Sequence, residues 1–171
     1  MARRVSAAVF LCLALATAVF IFCRSARDGT ASSGESTKVT EAVAPIVVPS
    51  YPPQSGAQQR ETVKQLHGKV RTFAHALEFS ALGFCLSAAL WLWPAYPLRS
   101  SFSFLVSFPV SALYALSDEI HQRFVPGRAF EWADAGLDAL GAAVGCLLAA
   151  ALLLLSGRIA RLHRTLRAKH N

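Results

Sequence analysis

Apolar residues gather in four blocks along the chain, at residues 5–22, 73–93, 101–117 and 133–155. A predominantly apolar run of about 17–25 residues crosses a hydrocarbon core as a helix. The fold class expected is therefore all-α, an integral membrane bundle of four transmembrane helices with a polar cluster near its outer face. Residues 1–23 read as an N-terminal transmembrane helix, 24–68 as a polar Ser/Pro-rich loop, 69–157 as a three-helix core and 158–171 as a basic cytoplasmic tail. Ser, Thr, Gly and Pro dominate the first two-thirds of the polar segment, which is why it reads as loop. Its last part, 58–71, lacks proline and is expected to lead into the membrane as a helix. The first block is expected to stay uncleaved. It exceeds the roughly 7–15 apolar residues of a secretory signal, and Phe20, Ile21 and Phe22 precede Cys23, where cleavage or lipid attachment needs small residues. Pro109 interrupts the third block, which a membrane helix tolerates.

The polar residues inside the blocks carry more information than the apolar ones. His75, Glu78, Leu82, Cys85 and Ala89 recur at helical spacing, as do Ser103, Ser107, Ser111, Tyr114 and Asp118. Asp134, Asp138, Gly141 and Gly145 form a third stripe. Small residues on such stripes let membrane helices approach closely, so acids on the same stripes should face the bundle. Four spans also fix parity: the second helix begins where the third ends and the fourth begins. His75 and Glu78, then Asp118, Glu119, Gln122 and Arg128, then Asp134 and Asp138, are thereby expected at one membrane face. A carboxylate near mid-helix costs roughly 2.5–3.5 kcal/mol on insertion scales, so these acids need partners. Lys69, Arg71, His75, Arg123 and Arg128 are the candidates.

Composition agrees with a membrane chain. Hydrophobic residues make up 54% and charged residues only 16%, which argues against a water-soluble enzyme. The net charge of +7 does not point to nucleic acid, because no basic stripe is interleaved with aromatics on a soluble fold. Positive charge divides almost evenly across the predicted membrane, eight cations on the terminal side and nine on the other. The dense tail (Arg158, Arg161, Arg164, Arg167 and Lys169) tips the balance, since long loops count less. Both termini are expected in the cytoplasm of a multi-pass cell-membrane protein. Cys12, Cys23, Cys85 and Cys146 form neither a disulfide framework nor a CxxC pattern, and they read as packing residues. No metal site and no cofactor are expected.

The polar pattern resembles that of the VanZ-like family of small membrane proteins, named for a teicoplanin-resistance protein. His75, Glu78 and Phe79 are followed by Leu82-Gly83, and then come Asp118-Glu119, Gln122, Pro126-Gly127-Arg128, Asp134, Asp138 and Gly141. The likeness covers roughly residues 69–148 and is most specific over 118–145. It implies a bacterial cell-membrane protein with a four-helix core, and supplies no reaction. Teicoplanin resistance belongs to some members of the family.

Three functions fit such a cluster. The first is a binding site comprising His75, Glu78, Asp118, Glu119, Gln122, Arg128, Asp134 and Asp138. Arg128 and Arg123 would take an anionic head group or carboxylate, and the acids would take amine or hydroxyl groups. The expected partners are membrane lipid, a lipid-linked envelope precursor or a lipoglycopeptide. The second is a membrane-embedded acid–base or metal-dependent enzyme built on His75, His121 and the carboxylates. Its signal is weak, because no HExxH, Walker A or GxSxG pattern is present. The third is a structural or accessory subunit whose charges only fix helix register, with Glu119 and Arg123 as an ordinary i, i+4 pair. His121 is expected at an exposed helix end, Phe130 and Trp132 at the membrane interface, and Gly127 in a turn.

Overall fold

The computed structural model describes residues 1–27, 29–48, 55–94 and 99–170. Five helices account for nearly all of them, α1 (Ala2–Ser25), α2 (Gly29–Val47), α3 (Gly56–Leu92), α4 (Arg99–Gln122) and α5 (Trp132–His170), with no strand among the described residues. This is an all-α membrane bundle. Among the described residues three helices are long and apolar enough to cross a membrane, namely Ala2–Ser25, Gly56–Leu92 and Trp132–Arg167. The remaining predicted span, α4, is a 24-residue helix with Pro109 inside it.

Helix α3 is the centre of the bundle and contacts all four others. Its partnership with α5 is the most extensive, and glycine is the reason. A Cβ on Gly83 would overlap the carbonyl oxygen of Ala142, one on Gly141 that of Ala76, and one on Gly145 that of Ser80. The two backbones touch where side chains would hold them apart, as small-residue membrane interfaces do. The core is correspondingly small-residue rich: Ala14, Ile21, Phe79, Leu82, Ala115 and Ala142 form one buried cluster. Ser103, Ser107 and Ser111 of α4 are fully buried, and Tyr114 is half-buried and donates to the Ala18 carbonyl at 2.7 Å. The predicted stripes therefore do face inward. Large apolar side chains such as Leu13, Val19, Leu105, Leu140 and Leu152 point outward, the inverse of a soluble fold and what lipid requires.

Two helices outrun a membrane. At about 1.5 Å per residue α3 is roughly 55 Å long and α5 roughly 58 Å, against a hydrocarbon core of about 30 Å. The excess of α3 lies before its apolar block. There Ser55 caps the helix in a reciprocal box, its hydroxyl accepting from the Gln58 amide while Gln58 Oε1 accepts from the Ser55 amide. The excess of α5 is the basic tail, which continues the helix.

The polar segment departs from its sequence reading. Residues 29–47, expected as loop within 24–68, form α2, which packs on α3. The stretch holds no proline before Pro45, which falls in the last turn. Among its described side chains the buried ones are Thr40 and Ala44, an i, i+4 pair too small and too polar to register as an apolar stripe. Residues 49–54 lie outside the described residues, and 56–68, the end of the expected loop, form the first turns of α3.

Candidate functional site

The ends of α1 and α4 meet the beginning of the α5 helix and the middle of α3 at one level of the bundle. All eight candidate residues gather there. His75 Nδ1 lies 3.6 Å from Asp138 Oδ2, and both residues are buried. Asp118 Oδ2 accepts from Ser25 Oγ at 2.7 Å and from Gln122 Nε2 at 2.9 Å. Gln122 Oε1 in turn accepts from Arg128 Nη1 at 2.9 Å. Glu119, 2% exposed, accepts from the backbone N–H of Glu131 at 2.7 Å. Asp134 accepts from the Thr72 hydroxyl at 3.3 Å and faces Arg71 Nη2 at 4.0 Å. Glu78 pairs with Arg24 Nε at 3.3 Å.

Arg128 arrives from the short connection between α4 and α5. Pro126 and Gly127 occupy the centre of a turn closed by the Arg128 amide on the Val125 carbonyl at 3.2 Å, and Gly127 has φ 76°. That is the pattern of a type II turn, with proline first and glycine second. It turns the Arg128 side chain back over Gln122 and toward the Arg24 carbonyl. Burial, and next the neighbouring Arg71, pull the Arg128 guanidinium below its ordinary value, while Asp118 and Glu119 pull it back up.

Several partners differ from those expected. Asp138 meets His75 and Asp134 faces Arg71, both among the candidate partners of the acids, while Arg128 meets the uncharged Gln122 and Asp134 also accepts from Thr72, which was not a candidate. The residues the sequence reading missed are Arg24, Ser25 and Thr72. Arg24 and Ser25 stand at the end of α1, and the parity that gathers the other residues gathers them too. Composition had assigned both to the loop. Glu119 does not act as the surface partner of Arg123: it is buried on the Glu131 amide while Arg123 is exposed. His121, expected at an exposed helix end, is half-buried and stacks on Phe22 with ring centroids 4.9 Å apart. The C-terminal end of α1 covers it. Trp132 is exposed and sets its ring edge-on to Phe130.

A crevice lined by Arg71, Thr72, His75, Glu119, Gln122, Asp134 and Asp138 lies inside the cluster. It has room for about one water molecule, so the site is closed in this conformation. Among the described residues no three His, Cys, Asp or Glu side chains are grouped to hold a metal ion. Asp118 Oδ1, Asp138 Oδ1 and Glu78 Oε2 are buried with no hydrogen-bond donor among the described residues. A buried carboxylate oxygen without a donor costs about 1–3 kcal/mol or more, so a donor brought to these oxygens would be stabilising.

The family model described as VanZ/LLP1 matches residues 10–155, most of the chain. No curated protein and no solved structure matches it.

Proposed function

The chain belongs to the VanZ/LLP1 family, and from that premise we propose that its polar cluster binds the head of a ligand presented at the membrane surface: a lipid head group, a lipid-linked wall precursor or a lipoglycopeptide. The observation that carries this reading is the set of buried carboxylate oxygens on Glu78, Asp118 and Asp138 that find no donor among the described residues, beside the guanidinium groups of Arg24, Arg71 and Arg128. Unmet acceptors call for ammonium or hydroxyl donors, and the planar guanidinium suits phosphate or carboxylate. Each of the three ligand types includes members that carry both kinds of group.

In this reading both termini face the cytoplasm and the cluster faces outward. Arg3 Nη2 donates to the Trp91 carbonyl at 3.3 Å, which supports a common side for the N-terminus and the far end of α3. The basic end of α5 points the same way, toward anionic lipid. A fluorescent protein that folds only in the cytoplasm, fused after Asn171, is expected to fluoresce. A dark fusion made at normal level would reverse the orientation.

The binding reading predicts protection. A host expressing the wild type is expected to show reduced susceptibility to teicoplanin, with vancomycin as comparator. Asp138→Asn and Arg128→Gln are expected to abolish that protection at unchanged membrane level. Protection that survives both substitutions would overturn the reading. A second reading, a purely structural cluster, draws support from the internal pairs Arg24–Glu78 and His75–Asp138. It predicts instead that protection and protein level fall together.

A further inference from the structure

A groove of about 540 Å³ runs down the outside of the bundle between α3 and the start of α5. Its two walls carry opposite charge. Lys69 and Arg71 stand on the α3 side, Glu131 and Asp134 on the α5 side. Below them the lining turns to carbon, with Phe73, Ala76 and Leu137. Phe73 is 66% and Leu137 43% exposed, so this lower part is open to whatever surrounds the bundle. The apolar block of α3 begins at residue 73, so the change from charge to carbon falls where a head-group layer meets hydrocarbon. The exposed Trp132, a residue type that favours this boundary, begins α5 at the same level.

The charged rim is loosely engaged. Arg71 and Asp134 face each other at 4.0 Å, the edge of ion-pair range. Lys69 and Glu131 are exposed. Two cations opposite two carboxylates give no net charge, which matches neither a purely anionic head group nor a purely cationic one. It matches a zwitterion whose phosphate and ammonium lie a few ångströms apart. A primary ammonium offers three donors, and a quaternary one offers none.

We infer that this groove is a binding site for an aminophospholipid of the ethanolamine type. Its phosphate lies against Lys69 and Arg71, its primary ammonium against Glu131 and Asp134, and an acyl chain along Phe73, Ala76 and Leu137. The groove shares Arg71, Thr72 and Asp134 with the closed crevice. Those three residues are the wall between the bound lipid and the buried His75–Asp138 pair. The inference builds on the reading of the cluster as a binding site, and names the lipid that reaches it from the side.

The test is lipid retention by the full chain, purified from nanodiscs of dioleoyl phosphatidylethanolamine, phosphatidylcholine or phosphatidylglycerol and weighed by native mass spectrometry. Retention of the ethanolamine lipid is expected to exceed that of the other two about tenfold. Lys69→Gln and Glu131→Gln, both at exposed positions, are each expected to lower it several-fold, and Leu137→Trp to remove it by filling the groove. Lys64→Gln, an exposed cation of α3 outside the groove, is expected to leave it unchanged. Equal retention of phosphatidylcholine, or preference for phosphatidylglycerol, would overturn the inference, as would a Lys64→Gln loss equal to that of Lys69→Gln. Asp138→Asn separates the two readings. If it removes the lipid while Lys69→Gln and Glu131→Gln do not, the cluster binds and the groove does not. If groove variants lose the lipid while glycopeptide protection survives Asp138→Asn, the groove stands and the cluster reading falls.

Discussion

Gly145→Ala is expected to destabilise the bundle by about 2 kcal/mol or more, whereas Gly136→Ala and Gly157→Ala are expected to stabilise it slightly. The three substitutions add the same methyl group to the same helix. At Gly136 and Gly157 the new Cβ meets nothing within 4 Å, so only the helix propensity of alanine acts, about 0.8–1 kcal/mol in favour. At Gly145 the Cβ overlaps the Ser80 carbonyl oxygen and lies 2.9 Å from the Phe84 amide nitrogen. Both are backbone atoms, so no rotamer change relieves the overlap and α3 and α5 must move apart. Overpacking of this kind costs about 1–3 kcal/mol, occasionally more, and outweighs the propensity gain. Gly141 and Gly83 lie on the same interface, against Ala76 and Ala142. Once one methyl has separated the helices, a second meets less resistance, so Gly141→Ala combined with Gly145→Ala is expected to cost less than the sum. Thermal unfolding in detergent checks all of this. Equal midpoints for Gly145→Ala and Gly136→Ala would mean that the two backbones are not in contact there.

Much of this interface was legible beforehand. Gly141 and Gly145 share a stripe with Asp134 and Asp138, and that periodicity alone turned both the glycines and the acids toward the bundle. Parity then brought residues more than 60 positions apart, such as His75 and Asp138, to one level. Neither argument needs a side-chain position, because helical spacing and the hydrocarbon thickness do the work. Other features lay beyond such arguments. Helix α2 hides because the buried residues among its described side chains are threonine and alanine, and a hydrophobic pattern cannot register a face without large apolar residues. Arg24 and Ser25 were missed for a different reason. The apolar block ends at Phe22, yet α1 runs on to Ser25, since the helix needs no lipid to continue. That last turn delivers both residues to Glu78 and Asp118. The detailed pairing was legible only in part: Arg71 stood among the candidate cations and does face Asp134, whereas Thr72, which donates to the same carboxylate, carries no charge and was not among them.

Asp138→Ala is expected to cost about 3–5 kcal/mol, the usual penalty for leaving one member of a buried pair alone. Asp138 is 2% exposed and His75 is 7% exposed, with Oδ2 and Nδ1 3.6 Å apart. His75→Ala is expected to cost a similar amount, because it strands a carboxylate whose other oxygen already lacks a donor among the described residues. The double variant should cost less than the sum, with a coupling of about 1–3 kcal/mol. A stronger comparison replaces both with leucine. Buried pairs exchanged for apolar residues of similar size are often neutral or stabilising, so His75→Leu with Asp138→Leu is expected to recover most of the stability lost by either single substitution. Glycopeptide protection then separates the two roles of the cluster. If the pair only holds α3 to α5, protection returns with stability. If the carboxylate oxygen of Asp138 receives a donor from a ligand, the apolar bundle is stable, reaches the membrane at normal level and protects nothing. The binding reading requires the second result, and recovery of protection by the leucine pair would end it.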